Sequence, residues 1–585
     1  MGLYPLTGLI EATRRAVSKP LVIVESPAKA RTIGKFLGPG FQVEASIGHV
    51  RDLPERKGDI PTPDRNEKTW LVTAIADDYS PVYVLTDRGR EQVKKLRAML
   101  KGAPELLLAT DEDREGEAIA WHLIEALKPK VPVRRLVFHE ITKTAIQRSL
   151  QNARSLDMDL VRAQEARRIV DRLFGYSLSE VVWRKVRQGL SAGRVQTPAV
   201  RLVVERERQR MAFRSASWWD LNASFATSDG EYLGTLVEVD SARLAQGRDF
   251  DPTTGLLKPS KAPPRLLDEA SATALRDALR GQPAQVHKVA RRSFREKPIA
   301  PFTTSKLQQE GNRKLRWPAK RVMSVAQRLY ENGWITYHRT DSTNLSDEAI
   351  QGARAVISSS FGSAYLPGAP RVYASKQKGA QEAHEAIRPA GSQFRTEAEC
   401  RAAMGDESAR LYALIWRRTI ASQMNDATGE RVNVDTLVQA DARTGLFRSR
   451  GKTYTFDGFR AVYVMSRDTE EAENELPPLR DRQVVETRTV DAVGHTTSPP
   501  ARLTEASLVQ TLEELGIGRP STYAAIIETI QTRGYVFKKG TALVPTWTAF
   551  AVTRLLEDHF GELVEYDFTA NMEQGLDKIA EGAAD

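Results

Sequence analysis

The sequence predicts a multidomain protein in which an α/β domain is joined to helical and β-rich parts. Three observations carry this reading. A strand, polar turn and helix pattern occurs twice near the N-terminus, two distant segments alternate apolar and polar residues, and the remaining stretches have helical spacing punctuated by glycine. At 585 residues the chain is too long for one core, and a prior of about 150 residues per domain suggests about four domains.

Leu21 to Val24 is a short apolar run that ends at Glu25-Ser-Pro-Ala-Lys29, and Ala30 to Leu37 has helical spacing up to Gly38-Pro-Gly40. Glu105 to Thr110 is a second buried-type strand, followed by the acidic turn Asp111 to Glu117 and a helix over Ala118 to Leu127. This repetition implies a parallel sheet with its site at the carboxyl ends of the strands. Leu160 to Ser177 is expected to be an amphipathic helix, with Ala166, Ile169, Val170 and Leu173 on the apolar face and Gln164, Arg168 and Arg172 on another.

The period then changes. Trp219, Leu221, Ala223 and Phe225 alternate, as do Val432, Val434, Thr436 and Val438, with a loop rich in Pro, Gly and Thr over Phe250 to Pro264. Between the β segments Lys306 to Gln423 is mostly helical. Near the end, Glu505 to Leu515 is a helix closed by Gly516, Ser521 caps a second helix ending at Gly534, and Tyr535 to Phe537 begins a strand. Helix, turn, helix, strand is a winged-helix pattern, serving either as a DNA reader or as a packing module.

Composition narrows the function classes. Hydrophobic residues make up 41%, enough for several cores, and the single cysteine, Cys400, excludes an internal disulfide and a zinc site built on several thiolates. The first twenty residues lack the apolar run of a secretory signal, and no stretch approaches the roughly 18 apolar residues of a membrane span. A cytoplasmic protein with a disordered leader is expected. The net charge is +10, and Leu160 to Arg214 alone holds 13 basic against 5 acidic residues. Such a concentration is the footprint of a phosphate-backbone binder or a solvated helix face.

Several residues could carry chemistry. Asp111, Asp113 and Glu115 lie at i, i+2 and i+4 after a strand, where an extended turn would converge three oxygen ligands suited to Mg²⁺; they could equally cap the next helix. A parallel sheet would bring Glu25 beside them. Lys29 could clamp a phosphate or sit in an exposed first turn. His384 and Arg388 would share a helix face at i, i+4, and Ser191 to Gln196 places small residues and Arg194 in a turn that a nucleic acid could approach closely. In an extended segment Tyr337 and Arg339 would point the same way. A phenol with a cation beside it suits attack on a phosphodiester, whereas the structural alternative is a half-buried strand residue.

Nine stretches taken together resemble type IA DNA topoisomerases of the bacterial topoisomerase I branch: Val24–Lys29, Ile47–Pro54, Ala109–Ala118, Ala166–Arg172, Leu190–Gln196, Pro301–Ser305, Ile335–Asn344, Ala383–Pro389 and Gly516–Tyr523. The resemblance implies a TOPRIM domain over 21–156 after a leader over 1–20. It also implies a helical winged-helix-like DNA-binding domain over 157–216 and 488–585, a β-rich arch over 217–296 and 424–487 that closes a torus, and a catalytic tyrosine domain over 297–423. By matching position, Tyr337 is implied as the nucleophile that forms a 5′-phosphotyrosyl link, Arg339 as its transition-state partner and Lys29 as the holder of the scissile phosphate. Glu25 would share the metal or shuttle a proton, with Asp111, Asp113 and Glu115 as the Mg²⁺ site.

His49, Arg168, Arg172, Ser191, Gly193, Arg194, Gln196, Gln327, His384, Arg388 and Thr522 are implied as DNA contacts, and Arg135, Glu331 and Asp341 as further active-site residues. The implied activity is relaxation of negatively supercoiled DNA by a monomer acting on single-stranded or underwound DNA at the nucleoid, without membrane or nucleotide cofactor. In keeping with this, the chain has no Gly-x-x-x-x-Gly-Lys-Ser/Thr pattern. A TOPRIM nuclease would not need Tyr337, a winged-helix binder would not need Glu25 and Lys29, and Ser342 to Ser346 favours topoisomerase I over a decatenating topoisomerase III. His338 stands where relatives often carry Met or Pro. Because relatives usually continue into C-terminal DNA-binding modules, the chain reads as a core fragment.

Overall fold

The computed structural model describes residues 18–55, 57–60, 74–75, 79–373, 385–440, 443–464 and 475–585. The leader expected over 1–20 lies almost wholly outside the described residues, as does His384. The chain forms two compact units: Met1–Arg172 with Tyr330–Gly333 and Leu576–Asp585, and Leu173–Leu329 with Trp334–Gly575.

In the first unit four parallel strands lie in the order Gln42–Ala45, Leu21–Val24, Leu106–Leu108 and Val133–Arg135. Leu21 to Val24 are all fully buried, which is why this strand reads as a continuous apolar run. The helix Pro27–Leu37 starts earlier than expected because Ser26 caps it and Pro27 supplies its first residue, and it ends at Gly38 with φ 75°. Leu108 lies beside Ile23, and the Ala109 amide donates to Ile23 O at 2.8 Å. This register carries Glu25 and Asp111 to adjacent strand ends, as the parallel pattern predicts.

The helix after the second strand runs Arg114–Leu127, four residues earlier than the expected start at Ala118. Its N-cap is Asp113, whose side chain accepts from the Gly116 amide at 2.7 Å. A Cβ on Gly116 would collide with the Asp111 carbonyl, so only glycine lets the acidic turn fold back on the helix start.

The long basic helix spans Met158–Lys185, longer than the expected 160–177. Its expected apolar face is corrected too: Ala166, Ile169, Val170 and Leu173 are only half-buried, whereas Val161, Ala163, Arg172, Leu178 and Val182 are buried. Over 28 residues different turns bury different sides, so one stripe does not describe it. Leu178 and Val182, in its C-terminal turns, join the core of the winged-helix part.

In the second unit the two alternating β segments form one closed antiparallel barrel. Its strands are Ser217–Thr227, Gly230–Val239, Pro283–Glu296, Ala427–Ala440, Arg443–Phe456 and Val484–Thr496, and pairing of Arg443–Phe456 with Gly230–Val239 closes it. The last strand runs to Thr496, past the expected boundary at 487. Leu221, Phe225, Leu236, Val286, Val434 and Phe447 fill the core, together with Ala272, Leu275 and Leu279 of the helix Glu269–Leu279. The closing contact is short, Gly445–Arg448 against Thr235–Val239, and Pro283–Glu296 meets Val484–Thr496 only over Pro283–Gln285.

The block between the barrel's halves is helical as expected: Thr304–Leu315, Ala319–Glu331, Asp347–Ser360 and Glu397–Ser422. Near the C-terminus, helices Glu505–Glu514 and Tyr523–Thr532 precede the hairpin Val536–Lys539 and Ala542–Pro545, which is the winged-helix order. The second helix is not capped by Ser521; Thr522 holds the N-cap position in helical backbone geometry and makes no side-chain cap bond. Its hydroxyl is engaged by Arg519 instead, accepting from the amide at 2.9 Å and donating to the carbonyl at 3.0 Å. No described helix is long and apolar enough to cross a membrane.

Candidate active site

The first unit assembles its site at the strand ends. Lys29 lies one turn beyond Glu25 and is buried, and its Nζ donates to Glu25 Oε2 at 2.6 Å and to Asp111 Oδ1 at 2.5 Å. The Asp111 amide donates to Glu25 Oε1. Tyr330 donates its hydroxyl to Asp111 Oδ1 at 2.9 Å, and its ring lies 5.1 Å from the Lys29 ammonium. Ser26 Oγ donates to Glu331 Oε1 at 2.8 Å. Arg135 is buried beneath, donating to Asp111 O at 2.6 Å and to Glu117 Oε2 at 3.1 Å, so it supports the backbone of the acidic turn. Glu331 thus holds Ser26, next to Glu25, and Arg135 holds the backbone of Asp111.

Burial alone would lower the Lys29 pKa, but Asp111 and then Glu25 outweigh it and push the group up to about 12. Lys29 is thus a fixed cation rather than an exposed first-turn residue. Burial and the neighbouring Asp111 raise the Glu25 carboxyl above its ordinary range, and the same two causes raise Tyr330 well above that of a free phenol. Two largely buried carboxylates share one ammonium, so a proton on Glu25 becomes less costly.

The acidic triplet differs from the expectation of three converging side chains. The helix begins at Arg114, so only Asp111 to Asp113 precede it; Asp113 is spent on the cap, and Glu115 is half-exposed with an oxygen 3.4 Å from His49 Nε2. An i, i+2, i+4 argument fails where the backbone turns helical midway. Among the described residues no three acidic, His or Cys groups already converge. The donors are oxygen-only all the same, and a Mg²⁺ ion that keeps its waters and bridges to phosphate uses only one or two carboxylates. The set fits that mode of binding.

His49 packs edge-on to His122, whose pKa is lowered to about 3 by burial and then by His49 and Arg51. Arg168 makes a two-pronged pair with Asp52 at 2.9 and 2.8 Å, and buried Arg172 donates to Pro54 O at 3.2 Å. These two arginines brace the Asp52–Pro54 segment.

The second unit holds Tyr337. Ile335 and Thr336 form isolated bridges rather than a strand, and the chain bends at His338 and Arg339, so the same-side argument for Tyr337 and Arg339 does not apply. Gly333 starts this departure at φ 69°. Thr304 clamps the residues just after Tyr337: its Oγ1 donates to His338 O and accepts from the Thr340 amide, and its own amide donates to Thr340 O, all at 2.8 Å. Tyr337 is 2% exposed, with its ring centroid 5.2 Å from that of His338.

Arg388 is not on a helix. Its carbonyl accepts from the Thr336 amide at 2.9 Å, because the residue before Pro389 is steered to extended backbone. Its guanidinium is buried on Glu385, at 2.8 and 2.9 Å. Arg194 is fully buried on Glu573 at 2.6 Å, and Ser191 and Gln196 bond to each other, with Gln196 Nε2 2.6 Å from Ser191 O. The Gly193 amide donates to Thr197 Oγ1 at 3.3 Å. Gln327 is exposed, and Asp341 and Thr340 line a small cavity with Ser305, Glu513, Arg519 and Tyr523.

A family model described as DNA topoisomerase matches residues 155–585, and a Toprim domain model matches residues 20–141. The chain belongs to the type IA DNA topoisomerases, in the bacterial topoisomerase I branch. It is 55% identical to DNA topoisomerase 1 of Streptomyces coelicolor over 96% of its own length and 60% of that protein. Against DNA topoisomerase 1 of Mycolicibacterium smegmatis the identity is 52%, covering 96% and 61%. The full-length topoisomerase I of Thermotoga maritima superposes with a TM-score of 0.79 at 33% identity, covering 96% of this chain and 87% of that one. The chain spans about three fifths of the length of the curated relatives it matches. Its first part has the Toprim fold, a metal-binding fold.

Within this topoisomerase chain, sequence reasoning missed Tyr330, Ser26 and Thr304. Thr304 lay inside the motif Pro301–Ser305 without a role, since nothing local says that a helix-start threonine will meet a loop 34 residues away. Thr304→Val is expected to leave DNA binding intact while slowing strand cleavage by about tenfold or more, because the His338 carbonyl and Thr340 amide lose their buried partner. Thr304→Ser should restore the rate. Equal loss of binding and cleavage, or no rescue by serine, would contradict the positioning role.

Proposed function

We propose that the chain cuts one DNA strand, lets another strand pass and reseals the break, relaxing negatively supercoiled DNA without ATP. The observation that carries this reading is Tyr337 on a clamped loop in a topoisomerase chain that also carries the intact Glu25, Lys29 and Asp111 cluster. The Tyr337 oxygen attacks the phosphorus and loses its proton to water, the bond to the 3′-oxygen breaks, and the 5′-phosphate stays on the protein. Arg339 balances charge on the phosphoryl oxygens and Lys29 holds the phosphate as a fixed cation. Glu25, with its raised pKa, supplies a proton to the departing 3′-oxygen and takes it back on resealing. The phosphotyrosyl ester conserves the energy of the broken bond, so the same hydroxyl reseals it.

Glu25 and Asp111 would hold Mg²⁺ through one or two carboxylates, with Asp113 remaining the helix cap, and the ion when bound would orient phosphate oxygens for rejoining. DNA in single-stranded or underwound form is the proposed substrate, and a bacterial cytoplasm the proposed setting for a monomer. The domain divisions given above are proposed to correspond to a Toprim domain, a split winged-helix domain, a split β domain and the tyrosine domain. Tyr337 is 2% exposed, so neighbouring structure must move before DNA reaches it.

The test is negatively supercoiled plasmid incubated with Mg²⁺ and no nucleotide. A ladder of relaxed topoisomers is expected, and unchanged plasmid at all enzyme concentrations would count against the reading. Arg339→Ala is expected to retain most single-strand binding while cleavage slows by about a hundredfold. Parallel loss of both would remove its transition-state role.

A further inference from the structure

The chain carries a cationic, aromatic surface that none of the residues assigned above occupies. Trp183 is 47% and Trp547 83% exposed, which is unusual for tryptophan. Trp183 lies in the last turn of the basic helix and donates its Nε1 to Leu190 O. Arg533 donates to the adjacent Gly189 O at 3.0 Å, and Thr546, the residue before Trp547, donates to Gly534 O at 2.8 Å. These bonds tie the end of the basic helix, the Gly189–Leu190 turn, Arg533–Gly534 and Thr546 into one patch, with Trp183 on the turn and Trp547 following Thr546. Buried Tyr535 lies beneath, donating to Ser191 O at 2.9 Å and feeling the charges of both Arg533 and Arg187. Lys185, Arg187 and Arg533 are exposed, and among the described residues Lys185 and Arg187 have no carboxylate partner.

We propose that Trp183, Trp547, Lys185, Arg187 and Arg533 form a binding platform for single-stranded DNA running onto the Ser191–Gln196 turn. The proposal rests on the DNA-cutting reading and adds where the strand is held away from the tyrosine. Exposed indoles provide faces on which bases stack without sequence preference, and the cations follow the backbone. Charge argues for a nucleic acid rather than an apolar protein partner. The turn's own Arg194 is committed: it is fully buried on Glu573, and freeing it would strand a carboxylate. Phosphate neutralisation beside the turn therefore falls to the exposed cations that flank it.

The experiment uses the full chain carrying Tyr337→Phe, to separate binding from cleavage, and a labelled oligothymidylate of about 20 nucleotides. Indole emission is expected to be quenched on binding, and Trp547→Ala should lower the affinity by about tenfold and reduce the quenching. Lys185→Ala with Arg187→Ala should flatten the log–log salt dependence by about 1.4 units, at about 0.7 per phosphate contact. Trp183→Phe, which keeps a ring but loses the Nε1 bond, should bind nearly as the parent does. With Tyr337 restored, all these variants should still form covalent adduct on DNA at saturating concentration. Parental affinity and salt slope in both the Trp547 and the Lys185/Arg187 variants would overturn the platform, as would a loss confined to duplex DNA. Absence of any adduct from the parent would instead refute the cutting reading and leave the binding measurement to stand by itself.

Discussion

Replacing Tyr337 by Phe is expected to abolish covalent capture of DNA and plasmid relaxation, with a loss of at least about 10⁴-fold, while single-strand binding persists. The substitution removes one oxygen from a side chain that is 2% exposed, in a loop whose backbone is held by Thr304 rather than by the tyrosine. A normal thermal melt alongside the loss would place the effect in the chemistry rather than in the fold. Gel relaxation and denaturing-gel capture measure it. Residual capture at more than trace level would mean that another side chain accepts the phosphate.

The second large effect is expected at Lys29. Its ammonium lies 2.6 Å from Glu25 and 2.5 Å from Asp111, and its removal leaves two largely buried carboxylates facing each other. Lys29→Ala should therefore both slow cleavage by about 10² to 10³-fold and destabilise the Toprim part by about 3 kcal/mol, unless a proton replaces the lost charge. The double change Lys29→Ala with Asp111→Asn separates the two effects: it should recover much of the melting temperature and none of the activity. Recovery of activity would show that Lys29 acts only as a counter-ion for Asp111. The charge state of Lys29 is not expected to shape the pH profile below neutrality, because its pKa is raised, to about 12, and the group stays protonated throughout that range.

The parts legible in the sequence were those with local causes. The apolar run Leu21–Val24, the end of the first helix at Gly38, and the alternation in Ser217–Thr227 and Ala427–Ala440 each follow from neighbours a few residues away. Parallel register then carried Glu25 to Asp111 as the strand, turn, helix pattern implies. The parts that were not legible depend on partners far along the chain. The six β strands close into a barrel because Arg443–Phe456 meets Gly230–Val239, and no period records that meeting.

The site shows the same division. The shared direction expected of Asp111, Asp113 and Glu115 fails because Asp113 becomes a helix cap. Arg172, Arg194 and Arg388 read in the sequence as cations open to DNA, yet Pro54, Glu573 and Glu385 hold them in buried bonds. Spacing reveals a charge but not the carboxylate that will meet it after folding. Tyr330 gave no signal at all, although it donates directly to Asp111 and packs against Lys29.

The most direct test of the account follows the label on a cut strand. Single-stranded DNA labelled at either end is incubated with the chain, denatured and resolved, and the captured protein is digested for mass mapping. The account predicts that the 3′-end label migrates with protein, that the 5′-end label stays on a free fragment, and that the phosphorylated peptide contains Tyr337. Capture of the 5′-end label, or a phosphopeptide centred on any other residue, would contradict it.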